Sequence, residues 1–375
     1  MNEGTQPERV QYLDVLRVFA MLSVVFLHTA AGDLRANYGS SVWHFSNVLT
    51  ALMSTSVPLF FMISGALLLD APKTLSIGYT LKRRLPKVLV PFLVWSLIAV
   101  AYYAVISWRA DGAPDLAAAV RSLKNLPAQP TAVHLWFMYA LIPLYILSPI
   151  IKRLTDSLDR KTLIYLLVIW VFFSSLLPTL AKFLPGSYRP LVVLNSAYNV
   201  TLLAGYAGYF IAGYYLMHLK KRVSVKLLAL TIVVDTILIS LGTWWKTTSG
   251  ALYWEAFKSY TGIFMLVLSI AVFLLFKEFM EERRLKGAML STVNFLVPLS
   301  FGVYLIHLFV VDLIYRTIPW SPAKSVLVLI GAYIVVLAVS VVFIFAISHI
   351  RPLGYALAGQ GYRSRRKERP PRPVS

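Results

Sequence analysis

The stretch LDVLRVFAMLSVVFLHTAAG, residues 13–32, decides the fold. It is apolar over about 20 residues, the length that crosses a hydrocarbon layer about 30 Å thick. Within it stand Arg17 and His28. Ionisable groups in such a segment are costly and mark a pathway or a reaction centre. Their spacing is about three helical turns, so both fall on nearly one face, about 16 Å apart along the axis. One helix thus carries a cation near one membrane surface and a titratable imidazole far toward the other. Asp14 shares the stripe, where it pairs with Arg17 or caps the helix start. The competing reading is that Arg17 snorkels to the interface and His28 is a hydrogen-bonded packing residue.

The chain has 375 residues, 58% of them hydrophobic and 14% charged. With its repeated apolar runs, this composition predicts an all-α, polytopic membrane protein rather than a soluble two-domain one. Ten spans are expected, at about 13–34, 42–69, 88–108, 131–151, 161–184, 193–218, 226–246, 252–276, 289–315 and 323–350. The first is expected to stay as a helix, because Arg17 and His28 interrupt the run that a signal peptide needs. The formal charge of +20 is assigned to cytoplasmic loops rather than to nucleic-acid binding. A cytoplasmic N-terminus places 25 of the 36 Lys and Arg residues on that side and 10 on the other, with Arg17 inside the first span. Both termini are therefore expected in the cytoplasm. Residues 1–350 read as one transmembrane domain, and 351–375 as a basic, Pro-rich, disordered tail that touches anionic headgroups. The loop at 109–130 is expected to hold a short surface helix between prolines. The absence of Cys excludes disulfides, thiolate metal sites and a cysteine acyl carrier.

Three further stretches and two single acids are candidates for chemistry. TLKRRLPKVLVPF, at the basic start of the third span, gathers Lys82, Arg83, Arg84 and Lys87. Guanidinium groups bind phosphate bidentately and Lys adds point charge, so this cluster suits a nucleotide-like cofactor; the alternative is an ordinary positive-inside anchor. No GxxxxGK[ST] loop and no GxGxxG supports nucleotide hydrolysis or a dinucleotide fold. In HLWFMYALIPLYILSP, His134, Trp136 and Tyr139 suit a sugar site or, equally, an aromatic interface belt. In PLSFGVYLIHLFVVDLI, Ser300, Tyr304 and His307 form one polar stripe, with His307 at a depth like that of His28; interhelical hydrogen bonding is the alternative. Asp235 lies mid-span as a proton-relay carboxylate, a neutral acid or a packing contact. Asp33 is one of several acids at the outer ends of the spans.

Together these pieces resemble membrane acyltransferase family 3, the bacterial O-acyltransferases of cell-surface glycans. The matching elements are YLDVLRVFAMLSVVFLHTA, VPLFFMISGALLL, LKRRLPKVLVPF, HLWFMYALIPLYILSPI and SFGVYLIHLFVV, in the family's order over about residues 10–350. The resemblance implies a ten-helix plan in the bacterial inner membrane. It also implies transfer of an acyl group, by default acetyl, from cytoplasmic acyl-CoA to a glycan or lipid-linked sugar hydroxyl at the outer face. No permanently bound cofactor and no metal is implied. Arg17 and His28 would be the essential pair, and Arg83 and Arg84 would sit at the CoA side. Many members carry a Glu shortly after the HLW element, and this chain does not.

The expected mechanism follows. CoA phosphates meet Arg83, Arg84, Lys87 and Arg17, and the arm threads upward to His28. A neutral imidazole suits the general base on the acceptor hydroxyl. His307 and Tyr304 are the candidate oxyanion donors. His134, Trp136, Tyr139 and Asp33 are the candidate acceptor contacts. An acyl-His28 intermediate and direct transfer both remain open. Membrane lipids are expected partners, and a homo-oligomer is compatible with the sequence. Two other functions compete: a secondary transporter or flippase, with Asp235 as its proton site, and a glycan polymerase or ligase. The first would want inverted repeats and the second a large outer loop, and neither is evident.

Overall fold

A computed structural model describes residues 10–195, 205–250, 253–281, 283–318 and 322–359. The described residues form helices and no strands, as an all-α membrane protein requires, because hydrocarbon leaves no partner for an open backbone group. The helices are α1 (Gln11–Ala36), α2 (Ser41–Met53), α3 (Ser56–Asp70), α4 (Ile77–Tyr79), α5 (Pro86–Asp111), α6 (Leu116–Lys124), α7 (Trp136–Ser157) and α8 (Arg160–Val171). They continue with α9 (Leu177–Phe183), α10 (Ala207–Met217), α11 (Val225–Gly250), α12 (Ile263–Glu281), α13 (Gly287–Leu296), α14 (Ser300–Thr317), α15 (Val326–Ser348) and α16 (Arg351–Ala358).

Nine helical segments among the described residues are long and apolar enough to cross a membrane. Several are built from two pieces: α2 runs into α3, α4 into α5, α8 into α9, and α13 into α14. Two of these breaks have a local cause beside a proline. The α13–α14 junction is a 3₁₀ turn, Val297–Leu299, around Pro298, which has no N–H to continue the ladder. The α4–α5 junction is a π-helical turn, Thr80–Arg84, just before Pro86, closed by the Leu85 N–H donating to Thr80 O at 2.9 Å. Of the expected span 193–218, residues 196–204 lie outside the described residues, and the remainder supplies α10. The loop at 109–130 holds α6, N-capped by Asp115.

The expected disordered tail needs correction at its start. Residues 351–358 form α16, which ends at the left-handed Gly359 and packs on α5, where Trp95 Nε1 donates to Leu357 O at 2.8 Å. The backbones approach so closely there that a Cβ on Gly359 would stand 2.1 Å from Lys87 O. Residues 360–375 lie outside the described residues.

α1 runs through the centre of the bundle, packed against α2, α3, α12, α14 and α15. Leu16, Ala20, Met21 and Val25 are fully buried on it. Beside it, α3 and α10 meet at glycines, as membrane helices do when dispersion rather than water drives association. A Cβ on Gly65 would lie 1.7 Å from Phe210 O, and one on Gly213 would lie 1.9 Å from Met62 O.

These contacts predict that Gly65→Ala or Gly213→Ala lowers the yield and thermal midpoint of detergent-extracted protein, with an overpacking penalty of about 1–3 kcal/mol or more. Gly78→Ala, with nothing within 4 Å of its Cβ position, leaves both unchanged. Size-exclusion chromatography with a thermal melt reads the difference.

Candidate active site

Two cavities open at opposite ends of the bundle, and α1 contributes to both. At the end that carries the basic loops, a cavity of about 250 Å³ is lined by Arg17, Arg84, Lys87 and Tyr145, and Phe60, Phe137 and Tyr304 also line it. At the other end, a cavity of about 590 Å³ is lined by His28, Arg35 and Lys258, with Tyr206, Tyr253 and Tyr260 along its wall. Arg17 and His28, which the helical period placed on one face, thus face different cavities. α14 also touches both, through Tyr304 on one side and Leu308 on the other. Those two residues are one helical turn apart, a rise of about 6 Å along the stretch of α14 that forms part of the wall between the cavities.

The wall is aromatic. Phe137 and Tyr304 have ring centroids 5.5 Å apart, and Phe60 lies 5.9 Å from Phe137. On the far side the rings are histidines. His28 and His307 lie 5.1 Å apart between centroids, and His307 and His134 lie 5.4 Å apart. The shared depth expected for His28 and His307 is therefore a contact, and His134 joins them.

Backbone carbonyls set the proton positions in this cluster. His307 Nδ1 lies 2.6 Å from Tyr304 O, and His134 Nε2 lies 2.9 Å from Leu305 O. A carbonyl oxygen only accepts, so His307 carries its proton on Nδ1 and His134 on Nε2. The other nitrogens, His307 Nε2 and His134 Nδ1, are buried and make no hydrogen bond among the described residues. In neutral rings both are lone pairs. The Tyr304 hydroxyl donates to His134 O at 2.7 Å. This corrects the expected oxyanion donors. Tyr304 has its single proton committed to a carbonyl, and His307 turns a lone pair, not an N–H, toward its unpartnered side.

The basic cluster is also resolved residue by residue. Arg84 donates to Thr74 Oγ1 at 2.5 Å, and its guanidinium lies over the Tyr79 ring at 5.5 Å. Arg84 and Lys87 are three residues apart and share a helical face toward the cavity. Arg83 is one residue out of phase; it is exposed and does not line the cavity. Asp235, on α11, is buried against α12, where its partner is the Leu268 backbone, outside both cavities.

The expected acceptor contacts separate. His134 sits in the histidine cluster, 2% exposed, rather than at the outer surface. Trp136 stands behind the second cavity, stacked on Tyr260 with centroids 5.7 Å apart and planes at 19°, and 5.5 Å from Tyr206. Tyr139 faces away from the cavity and fastens the preceding loop, its one hydroxyl proton shared between Leu126 O and Gln129 O. Asp33 is fully buried and holds the end of α1 to the turn before α15. Its Oδ1 accepts from Ala323 N at 2.6 Å and from Asn37 Nδ2 at 3.1 Å, and the residue lines neither cavity.

Sequence reasoning passed over Lys258. This lysine lies in a 3₁₀ turn, Ala256–Lys258, between α11 and α12, yet it is 7% exposed. Its ammonium donates to Asn47 Oδ1 and Thr50 Oγ1, each at 2.8 Å, and to the Tyr253 hydroxyl at 3.3 Å. The available signal was Asn47 and Thr50, three residues apart on one face of an apolar helix. Burial pulls the Lys258 pKa from 10.5 down to about 7, opposed by the Glu255 carboxylate. A lysine whose pKa falls on folding binds fewer protons folded than unfolded between those two values, so its contribution to stability rises with pH across that window. The thermal midpoint of the solubilised protein should climb between about pH 7 and pH 10 relative to Lys258→Met, and equal slopes for the two proteins would contradict the buried placement.

The acyltransferase-domain family matches residues 10–348. No curated protein and no solved structure matches the chain. The match spans every element of both cavities except the segment around Gly359. The chain therefore belongs to membrane acyltransferase family 3, and is a multi-pass membrane acyltransferase.

Proposed function

We propose that this acyltransferase takes an acyl group, acetyl by default, from acyl-CoA held at the basic end and delivers it to a hydroxyl of a cell-surface or lipid-linked glycan held at the other. One observation carries the reading: α1 places Arg17 in one cavity and His28 in the other, with about one turn of α14 between them. By the positive-inside rule the basic end is cytoplasmic, with both termini there, and the family's cell-surface glycan acceptors make a bacterial inner membrane the setting this reading adopts.

The CoA phosphates meet Arg84, Lys87 and Arg17, groups suited to bidentate and point-charge binding. The apolar arm of the donor passes Phe60, Phe137 and Tyr304 and brings the thioester to His28. His28 takes the proton of the acceptor hydroxyl as its oxygen attacks the thioester carbonyl. The carbon–sulfur bond breaks, and the departing CoA sulfur takes the proton back from the imidazolium. The His307 ring, 5.1 Å from His28 between centroids and with its Nε2 unpartnered, would accept from the second His28 N–H once the base turns toward it, which would steady the charged form.

The test uses the full chain in sealed vesicles with labelled acetyl-CoA on the basic side and a panel of glycans on the other. His28→Ala should lower acyl transfer by about 10²–10⁴-fold while leaving acetyl-CoA binding in place. Arg84→Ala should weaken acetyl-CoA binding by about 10–100-fold, the value of a charge-assisted hydrogen bond, with Arg83→Ala near wild type. Acetyl-CoA binding that responds to Arg83→Ala and not to Arg84→Ala would contradict the assigned cavity. Thioester cleavage unchanged in His28→Ala would remove His28 as the base.

A further inference from the structure

The second cavity carries a charge imbalance that packing does not explain. Arg35, Lys182 and Lys258 line it, against the single carboxylate of Glu255. The two lysines are hydrogen-bonded to neutral groups. Lys258 is met by an amide oxygen and two hydroxyls, and Lys182 donates to Ser259 Oγ at 2.8 Å. None of the three has a carboxylate within ion-pair distance among the described residues. A buried ammonium whose one nearby carboxylate, Glu255, stands beyond ion-pair distance is expensive, and a neutral side chain of similar length would tie the turn to α2 equally well. The charge, rather than the hydrogen bonds, is therefore the feature that calls for a ligand. In a cavity with low-dielectric walls, cations of one sign focus the field and concentrate anions.

We propose that the acceptor bound in this cavity is an anionic sugar, one bearing a carboxylate or a phosphate, with Lys258, Arg35 and Lys182 supplying its counter-charge. The inference rests on the acyltransferase reading above and names the chemical class of its acceptor. The sugar ring lies along Tyr206 and Tyr260, which Trp136 backs from behind, and this leaves a hydroxyl free to reach His28 on the same cavity wall. Burial lowers the Lys258 pKa to about 7, and an anion beside it opposes that shift by favouring the ammonium.

The test measures binding of three probes to the full chain in nanodiscs by ligand-observed NMR, with coenzyme A at saturating concentration to occupy the other cavity. The probes are methyl glucuronoside, glucose 1-phosphate and the neutral methyl glucoside. At least one anionic probe should bind about tenfold or more tightly than the neutral one, the equivalent of about 1.4 kcal/mol. A preference for the glucuronoside alone identifies a carboxylate, one for the phosphate alone identifies a phosphate, and equal preference identifies a site that reads charge. Lys258→Gln, which keeps a donor for Asn47 and Thr50, should reduce the preference to about threefold or less. Should Lys258→Gln fail to fold, the exposed pair Arg35→Gln and Lys182→Gln decides, with the same loss expected. Equal binding of neutral and anionic probes by wild type, or a preference unchanged in these variants, overturns the proposal. Coenzyme A binding is followed in the same samples. A missing anion preference with coenzyme A bound overturns this inference alone, whereas missing coenzyme A binding overturns the donor reading and leaves the anion preference to be read directly.

Discussion

Hydrocarbon supplies no hydrogen bonds, and this constraint shapes the whole molecule. Every backbone polar group on a spanning helix must find its partner inside the protein, and side-chain donors compete for the same acceptors. In this chain the partners are mostly carbonyl oxygens of helices, and they converge around α1. Tyr315 donates to Thr29 O at 2.7 Å and Tyr333 to Leu22 O at 3.3 Å, while the Thr29 hydroxyl turns back to Val25 O. The same rule fixes the histidines. α14 offers Tyr304 O to His307 and Leu305 O to His134, and so decides which nitrogen of each ring keeps its lone pair. Helical backbone thus sets the proton positions of the two rings that stand beside His28.

That cluster sits between two cavities that differ in character. The one at the basic end is smaller, with cations near its mouth and aromatic rings at its depth. The one at the far end is larger and has both cations and tyrosines in its wall. A polar donor and a polar acceptor can each enter from its own side, and only the reacting atoms need to meet, across about one helical turn. Neither bulky partner has to cross the bilayer. The architecture thereby suits an acyltransferase whose two substrates are kept on different sides of a membrane.

Much of this was legible in the sequence, and the rest was hidden for physical reasons. The stripe on α1 could be read because a helix has a fixed period, so Arg17 and His28 had to share a face at a known separation. The stripe of Ser300, Tyr304 and His307 was readable for the same reason. What their protons do was not, because that depends on carbonyls whose lone pairs sequence does not display. The basic cluster was legible in kind and not in phase, since a π-helical turn at Thr80–Arg84 settles that Arg84 and not Arg83 turns inward. His134 and Tyr139 are close in sequence, but a 3₁₀ turn at Val133–Leu135 and the loop before it send them to different places. Asp33 and Lys258 were misjudged or missed because their partners, Ala323 and the pair Asn47 and Thr50, lie hundreds of residues away.

The central claim is that the two cavities open on opposite faces of the membrane, Arg17 lining the one and His28 the other. The chain has no Cys, so single cysteines can be introduced without background. The decisive measurement is labelling of Lys87→Cys and Arg35→Cys by a membrane-impermeant maleimide in sealed vesicles of defined orientation. The account predicts that Lys87→Cys labels only from the cytoplasmic face, with protection by acetyl-CoA, and that Arg35→Cys labels only from the other face. Labelling of both positions from one face would contradict it.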